Sequence, residues 1–122
     1  MTKYFLLTLA AVAFIACGKK PASEAPAQAA AADPGKTLYH EKTCATCHGE
    51  EGHGDGAVGA ALNPKPRNFT DAKWAQGDDL ASVIKTIENG VPGTGMAPFK
   101  SAMTPDEIKT VAEYVRKLGG KN

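Results

Sequence analysis

Five consecutive residues, Cys44-Ala45-Thr46-Cys47-His48, constrain this chain of 122 residues more than any other stretch. A C-x-x-C-H motif predicts the covalent attachment of a c-type haem, in which both thiols bond to the porphyrin and the adjacent imidazole binds the iron. Two intervening residues let the chain curl so that both sulfurs reach the edge of the ring. The alternatives are a redox C-x-x-C disulfide and half of a zinc site. Neither a βαβ pattern nor a second pair of zinc ligands accompanies the motif, so the sequence favours one covalent haem c.

The first 16 residues have the layout of a signal peptide. Lys3 precedes an unbroken run of apolar or small residues over positions 4–16, which is shorter than the roughly 20 residues needed to span a bilayer. The end of this run together with the next residue, Phe14-Ile15-Ala16-Cys17, resembles the lipobox of bacterial lipoproteins. The resemblance implies cleavage before Cys17 and lipidation of its thiol. An ordinary secretory signal cleaved elsewhere and an uncleaved anchor are the alternatives. Gly18 replaces the aspartate that would signal inner-membrane retention, so the resemblance implies an outer-membrane anchor facing the periplasm if the source is Gram-negative.

The remaining chain divides into a tether and one domain. Residues 17–32 combine the cysteine with Ala, Pro, Ser, Gln and Lys and show no apolar period, which is typical of a flexible linker. Residues 33–122 are enough for one domain and too few for two. Removal of residues 1–16 takes away Lys3 and leaves 13 basic and 13 acidic residues, from the 14 and 13 of the whole chain. With no basic stripe, the sequence gives no sign of a nucleic-acid partner.

Three helices are predicted in the domain, and no segment alternates convincingly as a strand. Asp33 followed by Pro34 indicates an N-cap and a first helical position, which begins a short helix that runs into the C-x-x-C-H motif. After His48 the chain is rich in glycine, which we expect to let the backbone pass tightly, with positive φ, against a flat cofactor. These glycines are Gly49, Gly52, Gly54, Gly56 and Gly59.

The second and third helices have clearer limits. The second carries apolar residues at i, i+3, i+4 and i+7 from Leu80 to Ile87, with Asp78 or Asp79 at its start and Gly90 just past its end. The third begins with a predicted capping box between Thr104 and Glu107, with Pro105 at the first helical position. Met103 is expected to pack on Ile108, and the buried stripe continues through Val111, Ala112, Val115 and Leu118 before Gly119 and Gly120 end the helix. The fold class predicted is therefore all-α.

The iron bound by His48 needs a second axial ligand or an open position. Met96, Met103, His40 and His53 are the candidates. The two histidines lie close to the motif in sequence and do not easily reach the other face of the ring, so we interpret them as surface residues. Met103 already has a structural use beside the last helix. Met96 lies in a loop stiffened by glycine and proline, far enough along the chain to wrap around the ring, and it is the favoured ligand.

Taken together, these motifs resemble a class I cytochrome c of the small bacterial single-haem kind. The resemblance covers about Gly35 to Leu118 and includes the C-x-x-C-H motif near a first helix, the loop Gly93-Thr94-Gly95-Met96-Ala97-Pro98-Phe99 and a capped last helix. It implies three or more short helices wrapped around one covalent haem, with the first and last helices crossing.

The resemblance also implies roles for residues near the ring. Trp74, Arg67 and Asn68 are candidate hydrogen-bond donors to the haem propionates, although ordinary packing and solvent exposure are the alternatives. In relatives a proline carbonyl after the motif commonly accepts the Nδ1 proton of the proximal histidine. The comparable stretch here is positions 56–62, which contain no proline, so the acceptor stays open.

The function implied is electron transfer by an electron carrier rather than an enzyme. With His48 and Met96 both bound, no open iron position remains for oxygen or peroxide. The carrier would meet redox partner proteins through a small transient contact, and the membrane through its lipid anchor. The alternatives are a haem enzyme or gas sensor with a labile Met96 bond, and a fixed haem subunit of a larger respiratory complex.

Overall fold

The structure, a computed structural model, describes residues 32–122, and these residues form four α-helices and one short 3₁₀ turn. The helices are α1 (Pro34–Glu41), α2 (Cys44–His48), α3 (Leu80–Asn89) and α4 (Pro105–Leu118), and the 3₁₀ turn is Gly59–Ala61. No strand occurs within this part of the chain, so the all-α prediction is confirmed there. The predicted signal peptide, the predicted lipidation site Cys17 and nearly all of the predicted tether lie outside the described residues.

Local sequence signals set the limits of the three longer helices. Asp33 caps α1, because its carboxylate accepts hydrogen bonds from the backbone N–H groups of Gly35 at 2.9 Å and Lys36 at 3.4 Å. Asp79 caps α3 in the same way through Ser82, and Gly90 follows its last residue, both as predicted. The capping box of α4 is present. These ends formed as expected because a cap depends on neighbours in sequence alone.

Helices α1 and α4 pack closely, as the resemblance implied. The contact requires Gly35, because a Cβ at that position would lie 2.5 Å from the Cβ of Tyr114 and 2.9 Å from the carbonyl oxygen of Thr110. One turn later the rings of Tyr39 and Tyr114 meet edge to face, with centroids 5.5 Å apart. The helices therefore form a rigid frame on which the rest of the described chain is built.

The apolar core lies where α1, α3 and α4 converge. Its buried members come from the helices, except Phe69 from the irregular segment between α2 and α3 and Met103 from the loop before α4. They are Tyr39, Phe69, Val83, Ile87, Met103, Ile108, Val111, Ala112, Tyr114 and Val115. Met103 and Ile108 are both in this cluster, consistent with their predicted packing. Most of the segment from residue 49 to 79 is irregular and closes over the open side of the frame. Among the residues described, no helix is both long enough and apolar enough to cross a membrane.

Candidate haem site

A cavity of about 730 Å³ opens between the helical frame and the irregular segments. Its size is within the range of small-molecule and cofactor sites, about 300–1,000 Å³, and its walls are mainly apolar. All the predicted site residues of the domain line this one cavity: Cys44, Cys47, His48, Arg67, Asn68, Trp74 and Met96. A large apolar cavity edged by two thiols, an imidazole and a thioether fits a covalently attached haem.

The C-x-x-C-H motif is itself a short helix, α2, and backbone geometry fixes its ends. Thr43, just before it, has a left-handed φ of 60°, and Gly49, just after it, has a φ of 83°. A Cβ on Gly56 would collide with the carbonyl oxygen of Thr46, and one on Gly59 with that of Cys47. Of the glycine-rich stretch, Gly56 and Gly59 thus pack against the backbone of the motif. The positive φ expected for these glycines is found at Gly49, Gly52 and Gly54, and of the five only Gly54 lines the cavity.

His48 is oriented by a backbone carbonyl. Its Nδ1 lies 3.3 Å from the carbonyl oxygen of Arg67. Because a carbonyl can only accept, this hydrogen bond needs the proton on Nδ1, which leaves the Nε2 lone pair free for a metal. Burial lowers the pKa of His48, and the bond to Arg67 opposes that shift only in part, so the ring is held neutral near pH 7. The sequence left this acceptor open; it is Arg67, which lies beyond the stretch 56–62 that was compared with the proline of the relatives.

The thiol of Cys44 is not a reactive thiolate. Burial raises its pKa to about 11, whereas redox-active C-x-x-C pairs lower the pKa of their nucleophilic thiol. Within residues 32–122 there is also no cluster of three or more His, Cys, Asp or Glu side chains that could hold a metal ion. Both alternatives to haem attachment, the redox disulfide and the zinc site, therefore lack support from the described residues.

The loop that carries Met96 is tied together by its own backbone and by one hydroxyl. The N–H of Val91 donates to the carbonyl of Met96 at 3.0 Å and closes the loop. The Thr94 hydroxyl donates to the carbonyl of Val91 at 2.7 Å and accepts from the Met96 N–H at 3.1 Å. The Met96 side chain thus comes from a short closed loop with little freedom of its own.

The other three candidate axial ligands lie in different surroundings. Met103 is buried in the helical core and is absent from the cavity wall. His40 is exposed and lies 3.4 Å from the Glu50 carboxylate. His53 is exposed as expected, but it also borders the cavity. Their positions favour Met96 as the candidate that faces the site.

The predicted propionate donors already have partners. Arg67 donates from Nη1 to the carbonyl of Lys73 at 3.2 Å. The carbonyl oxygen of the Asn68 side chain accepts from the N–H and hydroxyl of Thr70 at 2.9 and 2.8 Å. Trp74 donates its single indole N–H to the carbonyl of Phe69 at 3.1 Å, so it could reach a propionate only if that bond broke. Arg67 keeps further N–H groups to offer. The propionate roles of all three stay predictions.

Phe69 was not singled out from the sequence. Its ring stacks on the His48 imidazole with centroids 4.7 Å apart and planes inclined by 21°. The sequence signal was weak, a lone aromatic residue after Pro66-Arg67-Asn68 in a segment without periodicity. Only the tertiary return of that segment brings it to the site.

Comparison with known proteins shows the family of this chain. The model of the family described as Cytochrome c matches residues 32–119. The chain belongs to the cytochrome c family. As a cytochrome c it carries haem c bound covalently, and its chemistry is electron transfer through that haem. The all-α class I fold implied by the resemblance is confirmed.

Several relatives of this cytochrome are oxidase subunits. The chain is 41% identical over 92 residues to the Cbb3-type cytochrome c oxidase subunit CcoP of Azospirillum brasilense, covering 75% of this chain and 30% of that protein. It is 38% identical over 96 residues to the subunit FixP of Azorhizobium caulinodans, covering 79% and 30%. The chain thus spans about 30% of the length of these curated relatives.

Solved structures give the same fold. A chain of the Kuenenia stuttgartiensis reducing HAO-like protein complex matches with a TM-score of 0.62 and 32% identity, over 70% of this cytochrome and 41% of that chain. The c-type cytochrome KustC0563 matches with a TM-score of 0.53 and 36% identity, over 69% of this chain and 95% of the other. The second match covers nearly all of the other chain.

Proposed function

We propose that this cytochrome is an electron carrier whose haem is attached through Cys44 and Cys47 and ligated by His48 and Met96. The observation that carries the proposal is the single cavity edged by all four side chains, from which Met103 is absent. The bound haem supplies a one-electron redox centre. The carrier is not an enzyme, because two protein ligands leave no open position for a substrate.

The chain's own residues set the properties of that centre. The Arg67 carbonyl holds the proton on Nδ1 of His48 and strengthens Nε2 as a ligand. The soft thioether of Met96 favours the ferrous state, and the mainly apolar walls disfavour the more highly charged ferric form. These features together support a higher reduction potential than two histidine ligands would give. Arg67 and Trp74 are proposed to lie near the propionates, with Arg67 the better placed to donate.

The Met96 ligand is tested by a pair of variants. Met96→Ala is expected to abolish the weak sulfur-to-iron charge-transfer band of the ferric protein and to let carbon monoxide bind the ferrous form readily. Met103→Ala is the matched control, expected to lower stability by about 2–5 kcal/mol as a buried truncation while keeping the band. Loss of the band in Met103→Ala alone would overturn the assignment. Ready carbon monoxide binding by the unmodified protein would favour the haem enzyme or gas sensor.

A fixed haem subunit of a larger respiratory complex is the second candidate. The observation that favours it is the similarity to Cbb3-type cytochrome c oxidase subunits. A carrier would meet its redox partners through a contact of under about 1,200 Å², whereas a fixed subunit would form a larger and lasting one. Extraction in mild detergent followed by co-purification separates the two, since a fixed subunit elutes with partner proteins and a carrier elutes alone.

For the location, we propose a lipid anchor at Cys17 after removal of residues 1–16, with residues 17–32 as a flexible tether and residues 33–122 as the cytochrome domain. The anchor would place the domain on the periplasmic side of a bacterial membrane, the outer membrane if the cell is Gram-negative. The support is the sequence of the N-terminal region alone. Labelling with a fatty-acid analogue tests it, because the wild type should incorporate label and Cys17→Ser should not.

A further inference from the structure

The proximal side of the haem site contains a stack of side chains that extends beyond the ligand itself. Phe69 covers one face of the His48 imidazole, and the Phe69 ring is in turn backed by Trp74, with ring centroids 5.4 Å apart. Phe69 is buried, 6% exposed, so its ring separates this face of the imidazole from solvent. The access of water to this face of the His48 imidazole therefore depends on the position of the Phe69 ring.

The backbone of Phe69 is held at both of its polar groups. Its N–H donates to the carbonyl of Gly52 at 2.7 Å, and its carbonyl accepts from the Trp74 indole at 3.1 Å. On the Gly52 side, an added Cβ would collide with the Phe69 ring. Phe69 therefore has no spare room on its Gly52 side, and a shift of Trp74 would move it through their hydrogen bond.

The C-terminal end of α4 lies against Phe69 and Trp74. A Cβ on Gly119 would lie 2.5 Å from the Phe69 carbonyl oxygen and 2.6 Å from Cζ2 of Trp74. Lys121 extends over the indole, with Nζ 5.9 Å from the ring centroid, a cation–π distance. The same Nζ donates to the carbonyl of Ala72 at 3.0 Å and lies 3.1 Å from the Asp78 carboxylate. These contacts tie the chain end to the segment that carries Phe69 and Trp74.

We propose that Gly119 and Lys121 are positioning residues that act through Trp74 to hold Phe69 against His48, and thereby set the reduction potential of the haem. The inference rests on the proposed ligation by His48. A shift of Phe69 would admit water to the imidazole, and water stabilises the more highly charged ferric state. Loosening the chain end should therefore lower the potential.

Two substitutions loosen it in different ways. Lys121→Met keeps the apolar stem and removes the donor to Ala72 and Asp78, and Gly119→Ala forces Phe69 and Trp74 apart without any change in charge. Both are expected to lower the midpoint potential and to move the hyperfine-shifted His48 ring resonances in the NMR spectrum of the ferric protein. Lys121→Arg, which restores a donor and a cation, should return both readouts towards those of the wild type.

Lys117→Met is the matched control, because it removes the same charge from the same end of the helix. The Nζ of Lys117, however, lies 2.9 Å from the carboxylate of Asp33 and not beside Trp74. The inference is overturned if Lys121→Met shifts the potential and the His48 resonances no more than Lys117→Met does. If Gly119→Ala does not fold, the comparison of the three lysine variants still decides. Absence of hyperfine-shifted His48 resonances in the wild type would instead overturn the proposed ligation, so the two failures are distinguishable.

Discussion

The hydroxyl of Tyr39 joins the helical frame to the haem motif through a single buried hydrogen bond. It donates to the carbonyl of Gly49, the residue directly after His48, at 2.8 Å, and the side chain is fully buried. Burial raises the pKa of Tyr39 above that of an ordinary phenol, so the hydroxyl keeps its proton at neutral pH. The end of α2 is therefore held by a buried, neutral donor.

At this residue, Tyr39→Phe is expected to destabilise the protein by about 1–3 kcal/mol, because it leaves the buried Gly49 carbonyl without its donor. Urea unfolding of the haem-loaded protein measures the effect. Tyr114→Phe is the control, since that hydroxyl makes no hydrogen bond within residues 32–122 and its loss should change the unfolding free energy by less. Equal losses in the two variants would contradict the role of the hydrogen bond.

Among the elements, the loop that presents Met96 depends on Gly90. This glycine has φ 64° and ψ −168°, a conformation that is essentially reserved for glycine, and a Cβ there would collide with the Met96 carbonyl. Gly90→Ala is expected to lower the free energy of unfolding by about 1–3 kcal/mol and to weaken the sulfur-to-iron charge-transfer band of the ferric protein. Unfolding and absorption spectra of the ferric protein measure both effects.

Gly93 in the same loop provides the control. Its φ is 76°, but nothing lies within 4 Å of a Cβ added there. Gly93→Ala should therefore lose stability from backbone strain while the band stays unchanged. A band weakened equally in both variants would show that collision with Met96 is not the cause.

The capping box at the start of α4 gives a pH dependence. The Thr104 N–H donates to the Glu107 carboxylate at 2.7 Å, and this bond lowers the pKa of Glu107 below its ordinary value of 4.5. Because the pKa of Glu107 is lower in the folded state, its carboxylate stabilises that state at every pH above the ordinary pKa. This stabilisation is lost as the pH falls through the pKa of the folded state. The difference in unfolding free energy between wild type and Glu107→Gln should thus be largest near neutral pH and shrink on acidification. A difference that is constant with pH would contradict this.

The elements also show what a sequence can and cannot predict. The limits of α3 and α4 were predictable because Asp79, Thr104 and Glu107 act on residues three positions away. The contact between Arg67 and His48 spans 19 residues through irregular chain, and no local signal encodes it. The glycines after the motif were expected to face the cofactor. Their number indicates that the backbone approaches another group closely, but the sequence does not identify that group. Gly56 and Gly59 lie against the backbone of α2, Gly52 against the ring of Phe69 and Gly54 against the carbonyl of Pro66.

In the whole molecule, the cavity occupies the place where a larger core would otherwise be. The buried apolar cluster gathers along the helices, and a space of about 730 Å³ separates much of the irregular segment from it. A domain of about 90 residues has little core to spare, and a covalent apolar ring would supply the missing contacts. Folding is therefore expected to depend on haem attachment.

Replacement of both Cys44 and Cys47 by alanine tests this dependence. The double variant should show little helical signal in circular dichroism, because α2 and the loop that carries Met96 lose the group they enclose. Adding free haem to the purified variant is the control, and a partial recovery of helix would indicate that the ring itself stabilises the fold. A well-folded form without any haem would contradict the expectation.

The ion pair between Asp33 and Lys117 joins residues 84 positions apart and brings the two ends of the helical frame to one corner. Polypeptide attached at either end of the helical frame would leave from that corner. The domain can therefore form one unit within a longer chain. The curated relatives are longer chains, about 70% of whose length lies outside the match. Because the two ends of the frame lie close together, they could be joined by a short linker and the chain opened at another position. The domain is therefore a candidate for circular permutation.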